Sequence, residues 1–224
     1  MNEGAIFEPK IILEGTHLTH KTDISFAIAE SPRLVKGRIH RYHLPLISAE
    51  WEVLHSSTQP PLTQNNSIIN FHPKEEKYAM ETYETWMRLL ELQRHWYWII
   101  DRFHISTRAY QLTNFKKDYP FDWLEERLAA LNFHIIFCTR TTESFEKARQ
   151  ERLTYSETPS NYENLQIFME EQDLMRELIN QSRLKTLELD ISNISINGAA
   201  NYILDWLGVP NSNPEMEARG LKAY

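Results

Sequence analysis

The sequence predicts an α/β fold in which helices cover both faces of a five-stranded parallel sheet. Short apolar runs alternate with helical patterns along the 224 residues, as expected for strands joined by helical crossovers. Polar features directly follow three of these runs: the loop Gly15–Thr22, the pair Asp101-Arg102, and Asp190. Ligands of parallel sheets bind at the carboxyl ends of the strands. We therefore expect one domain, residues 1–224, with its functional site at that edge of the sheet.

Composition argues against nucleic-acid and membrane partners. The net charge of −7 at pH 7 leaves little basic surface for a nucleic-acid backbone. No apolar run approaches the roughly 18 residues that span a bilayer, and the start of the chain lacks a signal-peptide pattern. We therefore expect a cytoplasmic protein. The single cysteine, Cys138, lies within an apolar run, which favours a core position over a nucleophilic role.

The first apolar run leads into a loop that resembles a phosphate-binding motif. Ile11–Leu13 is typical of a buried parallel strand, Gly15 ends it, and a helical pattern begins at Lys21-Thr22. The pattern G-x-x-x-x-G-K-[ST] is matched except that His20 stands at the second glycine. The predicted cofactor-binding residues are Gly15, Thr16, His17, Leu18, Thr19, His20, Lys21 and Thr22.

This loop predicts a definite chemistry. Its backbone amides and the start of the following helix would surround a triphosphate, while Lys21 reaches the outer phosphates and Thr22 binds Mg²⁺. If the position of His20 requires a left-handed backbone, its side chain costs about 1–2 kcal/mol, and the imidazole crowds the phosphates. The alternative is an ordinary strand, loop and helix with a chance Lys-Thr pair.

The remaining elements follow from periodicity and from breaks in it. A second, less apolar strand is predicted over Leu34–His43, and the region Leu44–Pro73 has few periodic signals. A stripe of Met80, Tyr83, Met87 and Leu90 predicts the core face of one helix. Glu170-Glu171 is expected on a solvated surface. Three more strands are predicted over Trp96–Ile100, Phe133–Cys138 and Lys185–Asp190, with helices over Lys74–His95, Phe121–Leu131, Glu143–Arg152, Glu163–Ser182 and Ile196–Leu207.

A second group of candidate residues begins where the third strand is expected to end. Asp101 is placed to bind Mg²⁺ or an acceptor hydroxyl, and Arg102 can bind an oxyanion through two parallel hydrogen bonds. A structural Asp-Arg ion pair is the alternative. His104 either faces the acceptor or only packs beside the site. Ser106 is predicted to cap the next helix, with Tyr110 one turn further along.

Several segments together resemble the thymidylate kinase and deoxynucleoside kinase group of P-loop phosphotransferases. They are Leu13–Gly15 with Lys21-Thr22, Asp101–Ser106 with Ala109-Tyr110, the lid-like segment Thr142–Arg152, and Leu184–Asn193, which resembles the last strand and its adenine-bordering loop. The resemblance implies a three-layer P-loop kinase fold with a helical lid at about residues 149–162. It also implies ATP and Mg²⁺ as cofactors, and transfer of the γ-phosphate to a nucleoside or nucleoside monophosphate.

The resemblance assigns roles to individual residues. The catalytic residues it implies are Lys21, Asp101, Arg102, Arg149 and Arg152, of which the last two close the lid over the phosphates. Thr22 and Asp101 would bind the metal. Arg102, His104 and Tyr110 would bind the acceptor substrate. In this group the helix that here carries Met80–Leu90 can form a dimer interface, so a homodimer is possible.

The sequence departs from the group in the phosphate loop and in the acceptor region. Besides His20, thymidylate kinases carry an Arg-Glu-Pro-Gly type turn where this chain has His40–Pro45. Deoxynucleoside kinases place a basic carboxylate in the same region, for which Glu50 and Glu52 are candidates. Two alternatives therefore stay open. One is a catalytically impaired protein that binds nucleotides or partners, and the other is a phosphotransferase for a specialised small-molecule hydroxyl.

Overall fold

The computed structural model describes residues 9–35, 46–50 and 67–211. Its centre is a five-stranded sheet in the order β2-β3-β1-β4-β5, in which every neighbouring pair is parallel. The strands are β1 Lys10–Glu14, β2 Leu46–Ser48, β3 Trp98–Asp101, β4 His134–Thr139 and β5 Lys185–Asp190. The predicted parallel sheet is thus confirmed.

Helices cover both faces of this sheet. They are α1 Lys21–Ala29, α2 Pro32–Val35, α3 Glu76–Leu92, α4 His104–Phe115, α5 Asp122–Ala130, α6 Thr142–Leu153, α7 Leu165–Asn180 and α8 Ile196–Trp206, with short 3-10 helices at Pro73–Glu75 and Pro159–Tyr162. No described helix combines the length and the apolarity needed to cross a membrane.

Alternation along the central strand divides the core into two clusters. Ile11 and Leu13 of β1 pack on one side with α1 and α8, while Ile12 packs on the other side with α3, α4, α5 and α7. Cys138 is buried within the first cluster, as predicted, and burial raises the pKa of its thiol to about 12. The sheet is therefore covered on both sides, which leaves the carboxyl ends of the strands as the place for a site.

The predicted start of the second strand, Leu34-Val35, is wrong. Leu34 and Val35 lie in α2, because Pro32 occupies the first helical position and the Ser31 carbonyl accepts the Leu34 amide at 2.9 Å. The strand is Leu46–Ser48, inside the region expected to lack regular structure. Three residues are too few to show a period in the sequence. Residues 36–45, including His40–Pro45, and Glu52 lie outside the described residues.

The predicted apolar stripe of the long helix is confirmed. Tyr83, Met87 and Leu90 are fully buried, and Met80 packs against the same cluster. The helix begins later than expected, since Pro73–Glu75 forms a 3-10 turn capped by the His72 side chain. It therefore runs from Glu76 to Leu92.

Candidate active site

The loop after β1 has a shape that only glycine allows at its start. Gly15 has a φ of +148°, and a Cβ atom there would lie 2.5 Å from the carbonyl oxygen of Cys138. Leu18 and His20 are also left-handed, with φ of 67° and 50°. The loop therefore folds tightly over the carboxyl end of β1 and leads into α1 at Lys21.

The Lys21 ammonium lies within its own loop. Nζ donates to the Thr16 carbonyl oxygen at 2.6 Å and to Thr19 Oγ1 at 3.2 Å, and the residue is only 7% exposed. Burial, together with the neighbouring Arg102 cation, lowers the pKa of Lys21. A desolvated cation held among backbone dipoles is suited to bind an anion that reaches the loop.

His20 occupies the left-handed position that glycine has in the motif, so the expected backbone cost applies. Its imidazole does not point back across the loop: Nδ1 lies 3.0 Å from Asp23 Oδ2 in the first turn of α1. This contact holds the ring beside the helix start. His20 therefore adopts a left-handed backbone at this position, with its ring paired to Asp23.

Thr22 and Asp101 meet where β1 and β3 end side by side. Thr22 Oγ1 donates to Asp101 Oδ2 at 2.6 Å, although the two residues are 79 positions apart. Asp101 is 1% exposed, and its Oδ1 has no hydrogen-bond partner among the described residues. Burial raises the pKa of this carboxyl, against the lowering effect of Lys21.

These oxygens fit a magnesium ion held jointly with phosphate oxygens. Mg²⁺ prefers hydroxyl, carboxylate and water ligands and is usually bound through one or two carboxylates plus substrate phosphates. The unpartnered Oδ1 of Asp101 is an oxygen free to ligate it. In the described part of the chain no group of three or more His, Cys, Asp or Glu side chains could hold a metal by itself.

Glu14 is a buried structural residue that the sequence reasoning missed. Its Oε1 accepts the backbone amides of Phe103, Ile105 and Ser106 at 3.0, 3.2 and 3.4 Å. Its other oxygen accepts the Ser106 hydroxyl. Ser106 was predicted to be the cap, but it lies in the first turn of α4 and the carboxylate of Glu14 caps the helix instead. This contact fixes the backbone next to Arg102.

Arg102 lies between two carboxylates from distant parts of the chain. Its Nε is 3.0 Å from Glu50 Oε1, and its Nη1 is 3.9 Å from Glu171 Oε1. Glu171 was expected on a solvated surface, but its side chain is 20% exposed and faces this guanidinium. Of the two candidate carboxylates near β2, Glu50 is the one that the structure describes.

The two arginines predicted to lie in a lid contact residues of their own segment. Arg149 Nη2 lies 2.6 Å from Glu146 Oε1, and its Nη1 donates to the Glu163 carbonyl oxygen at 3.4 Å. Arg152 Nε donates to the Tyr162 hydroxyl at 3.1 Å, and the Tyr162 ring lies 6.4 Å from the ring of His17. Tyr162 and His17 thus lie between Arg152 and the loop after β1.

Arg140 contacts the loop after β1 directly, and sequence reasoning missed it. It follows β4, and its Nε donates to the Leu18 carbonyl oxygen at 2.6 Å. Gln172 holds its backbone by accepting the Arg140 amide at 2.8 Å and donating to its carbonyl at 3.0 Å. The sequence could have identified Arg140, because it is a charged residue directly after a buried strand, and the same rule identified Asp101.

His104 and Tyr110 occupy positions that favour structural roles. His104 is fully buried, and its Nε2 lies 3.0 Å from Glu125 Oε1, between α4 and α5. This contact favours a packing role for the ring, while its Nδ1 has no hydrogen-bond partner among the described residues. Tyr110 is half-buried, packs near the ring of Phe115 at 6.2 Å, and has its pKa raised by burial.

Solved structures with a fold similar to this architecture cover nearly the whole chain. The chain is similar to the YorR protein of Bacillus subtilis, solved in complex with phosphorylated GDP, at 17% identity and a TM-score of 0.57, with 93% of this chain and 97% of that chain covered. It is also similar to an unliganded sugar kinase from Janibacter sp. HTCC2649, at 11% identity and a TM-score of 0.53, with 92% and 98% covered. No protein-family model and no curated protein matches the sequence. The chain has the fold of P-loop kinases.

Proposed function

We propose that this protein is an ATP- and Mg²⁺-dependent phosphotransferase that moves the γ-phosphate to a nucleoside, a nucleoside monophosphate or another small-molecule acceptor. The observation that carries the proposal is the contact between Thr22 and Asp101 at 2.6 Å, with the second oxygen of Asp101 buried and unpartnered. The kinase fold supports it. The closer likeness to thymidylate kinases stays a prediction.

At the donor end, the loop residues would bind the phosphates. Lys21 would exchange its bonds to Thr16 and Thr19 for bonds to the outer phosphate oxygens. Thr22 and Asp101 would hold Mg²⁺, which neutralises charge on the transferred phosphoryl group. Arg140 contacts Leu18 of the loop, and Arg152 contacts Tyr162. Both arginines would approach the same phosphates when the lid segment closes.

At the acceptor end, Arg102 and Glu50 would orient the reacting group. Both lie beside Asp101 at the end of β3, so donor and acceptor sites share one edge of the sheet. Glu50 is a carboxylate placed to take the proton of an attacking hydroxyl. Catalysis would then come from positioning and charge stabilisation, without a covalent intermediate.

Binding of the nucleotide is tested by thermal unfolding with and without ATP and Mg²⁺. A ligand that binds only the folded protein stabilises it, by about 4 kcal/mol when its concentration is 1,000 times Kd. We expect ATP with Mg²⁺ to raise the Tm of the natural protein. In Asp101→Asn we expect the additional rise due to Mg²⁺ to disappear, while ATP alone still stabilises.

Asp122→Asn is the matched control, since that side chain is 74% exposed and lies on α5. It should behave as the natural protein does. If no nucleoside triphosphate raises the Tm of a cooperatively melting natural protein, the phosphotransferase proposal is wrong. The impaired, partner-binding alternative would then be favoured.

Replacing His20 with glycine separates an active loop from an impaired one. Glycine removes the left-handed strain but gains entropy in the unfolded chain, so the unfolding free energy should change by no more than about 1 kcal/mol. We expect ATP affinity and transfer activity to stay the same or rise, measured by titration and by ADP release. Lys116→Gly, at an exposed residue with a φ of 55°, is the control for the backbone effect alone. ATP binding that appears only in His20→Gly would show that the natural loop is impaired.

A further inference from the structure

Three charged side chains converge at the acceptor end of the site. Glu50 lies two residues after β2, Arg102 follows β3 directly, and Glu171 comes from α7. The two carboxylates, here called the carboxylate pair, lie 3.0 Å and 3.9 Å from nitrogen atoms of the same guanidinium. One positive charge thus faces two negative charges.

The other cation near the carboxylate pair belongs to the donor end. Lys21 is bonded to Thr16 and Thr19 within the phosphate loop, so its charge is directed to the donor phosphates. His17, another titratable neighbour of Glu50, packs against Phe168 with the ring centroids 5.6 Å apart and the rings tilted by 54°. Among the described side chains, Arg102 is the one that forms ion pairs with both members of the carboxylate pair, while Lys21 acts on them from the phosphate loop.

Three buried polar atoms of Arg102 and Asp101, beside the carboxylate pair, lack hydrogen-bond partners. Nε and Nη2 of Arg102, a residue 5% exposed, are donors without a hydrogen-bond acceptor in the described part of the chain, although Nε forms the ion pair with Glu50. Asp101 Oδ1 is an acceptor without a donor there. Buried polar groups without partners are costly, so an unpartnered arginine nitrogen within an ion cluster points to a ligand.

The donor and acceptor atoms here match a hydroxyl group and not a phosphate. A hydroxyl both donates and accepts, so it can satisfy the Arg102 fork and a carboxylate oxygen together. A phosphate dianion has only acceptor oxygens. It would satisfy Arg102 but would press its charge against Glu50 and Glu171, which like-charge repulsion disfavours.

We propose that the acceptor is an unphosphorylated polyhydroxy molecule, such as a nucleoside or a free sugar, and that the carboxylate pair excludes acceptors that already carry a phosphate. This inference rests on the proposed phosphotransferase function and narrows it. The acceptor hydroxyl oxygen forms a bond to the γ-phosphorus of ATP, and the bond from that phosphorus to the bridging oxygen breaks, releasing ADP. The hydroxyl proton passes to Glu50.

The test uses acceptors in matched pairs. Each nucleoside is compared with its 5′-monophosphate, and each free sugar with its sugar phosphate, by ADP release with saturating ATP and Mg²⁺. In whichever pair serves as a substrate, we expect kcat/KM for the unphosphorylated member to be at least about 10²-fold higher than for its phosphorylated partner. The two arms distinguish nucleosides from sugars.

Glu171→Gln tests the carboxylate pair itself, because glutamine keeps the shape and removes the charge. We expect it to reduce the discrimination at least about tenfold, by raising KM for the hydroxyl acceptor and by admitting the phosphorylated one. Glu170→Gln changes the neighbouring exposed carboxylate, which contacts Gln166, and should keep the natural ratio.

Preference for the phosphorylated member, or an unchanged ratio in folded Glu171→Gln, overturns the inference while transfer activity still supports the proposed function. Stabilisation by ATP without binding of any nucleoside or sugar overturns it as well. Absence of any stabilisation by ATP overturns the proposed function, and this inference with it. A higher kcat/KM for the hydroxyl acceptor that collapses in Glu171→Gln supports it.

Discussion

Replacing Lys21 with alanine should lower kcat/KM for phosphoryl transfer by at least about 10³-fold while leaving the fold intact. The Lys21 ammonium is buried in the loop, where it donates to Thr16 and Thr19. Among the hydrogen bonds of the described residues, no other lysine or arginine side chain donates to both of these residues. Under the proposed function, its removal takes away the lysine charge that would bind the outer phosphate oxygens. ADP release under single-turnover conditions measures the loss, and circular dichroism confirms the fold.

Lys77→Ala is the control for this substitution. The Lys77 side chain is 82% exposed on α3, and its contact with Glu81 at 3.8 Å is a surface ion pair. Its activity should equal that of the natural protein. A Lys21→Ala protein that retains activity would mean that the loop after β1 is not the phosphate site.

Replacing Glu14 with alanine should destabilise the protein by about 3–5 kcal/mol. The substitution leaves the amides of Phe103, Ile105 and Ser106, together with the Ser106 hydroxyl, buried without their common acceptor. It also releases the backbone that positions Arg102, so transfer activity should fall further than the loss of folded protein explains. Urea unfolding measures the effect as a lower midpoint with an unchanged slope.

Two companion variants make this prediction specific. Glu14→Gln keeps one acceptor oxygen and should lose less stability than Glu14→Ala. Glu126→Ala removes an exposed carboxylate of α5 and should stay within about 0.5 kcal/mol of the natural protein. Equal midpoints for Glu14→Ala and Glu126→Ala would contradict the capping role of Glu14.

Local pattern was enough to locate four strands and most helices. Two strands were located from continuous apolar segments, Ile11–Leu13 and the run before Asp101. Such segments are typical of strands that are buried on both faces of a parallel sheet. Because parallel strands end at one edge, the nearness of Thr22 to Asp101 followed from the alternation of strands and helices. The stripe through Tyr83 and Met87 likewise reported the buried face of α3.

Contacts between distant segments required the tertiary structure. In the sequence, Glu14 is only the residue at the end of a strand. Its role as a helix cap depends on backbone amides that lie 89 or more positions further along the chain. Glu171 follows another glutamate in the sequence, a pattern typical of an exposed helix surface. The packing of α7 against α4 nevertheless directs its side chain toward Arg102. The three-residue strand β2 has no period of its own and exists because β3 supplies its hydrogen-bond partners. Periodicity records which face of an element is buried, whereas the partner that a buried charge meets depends on how whole elements pack.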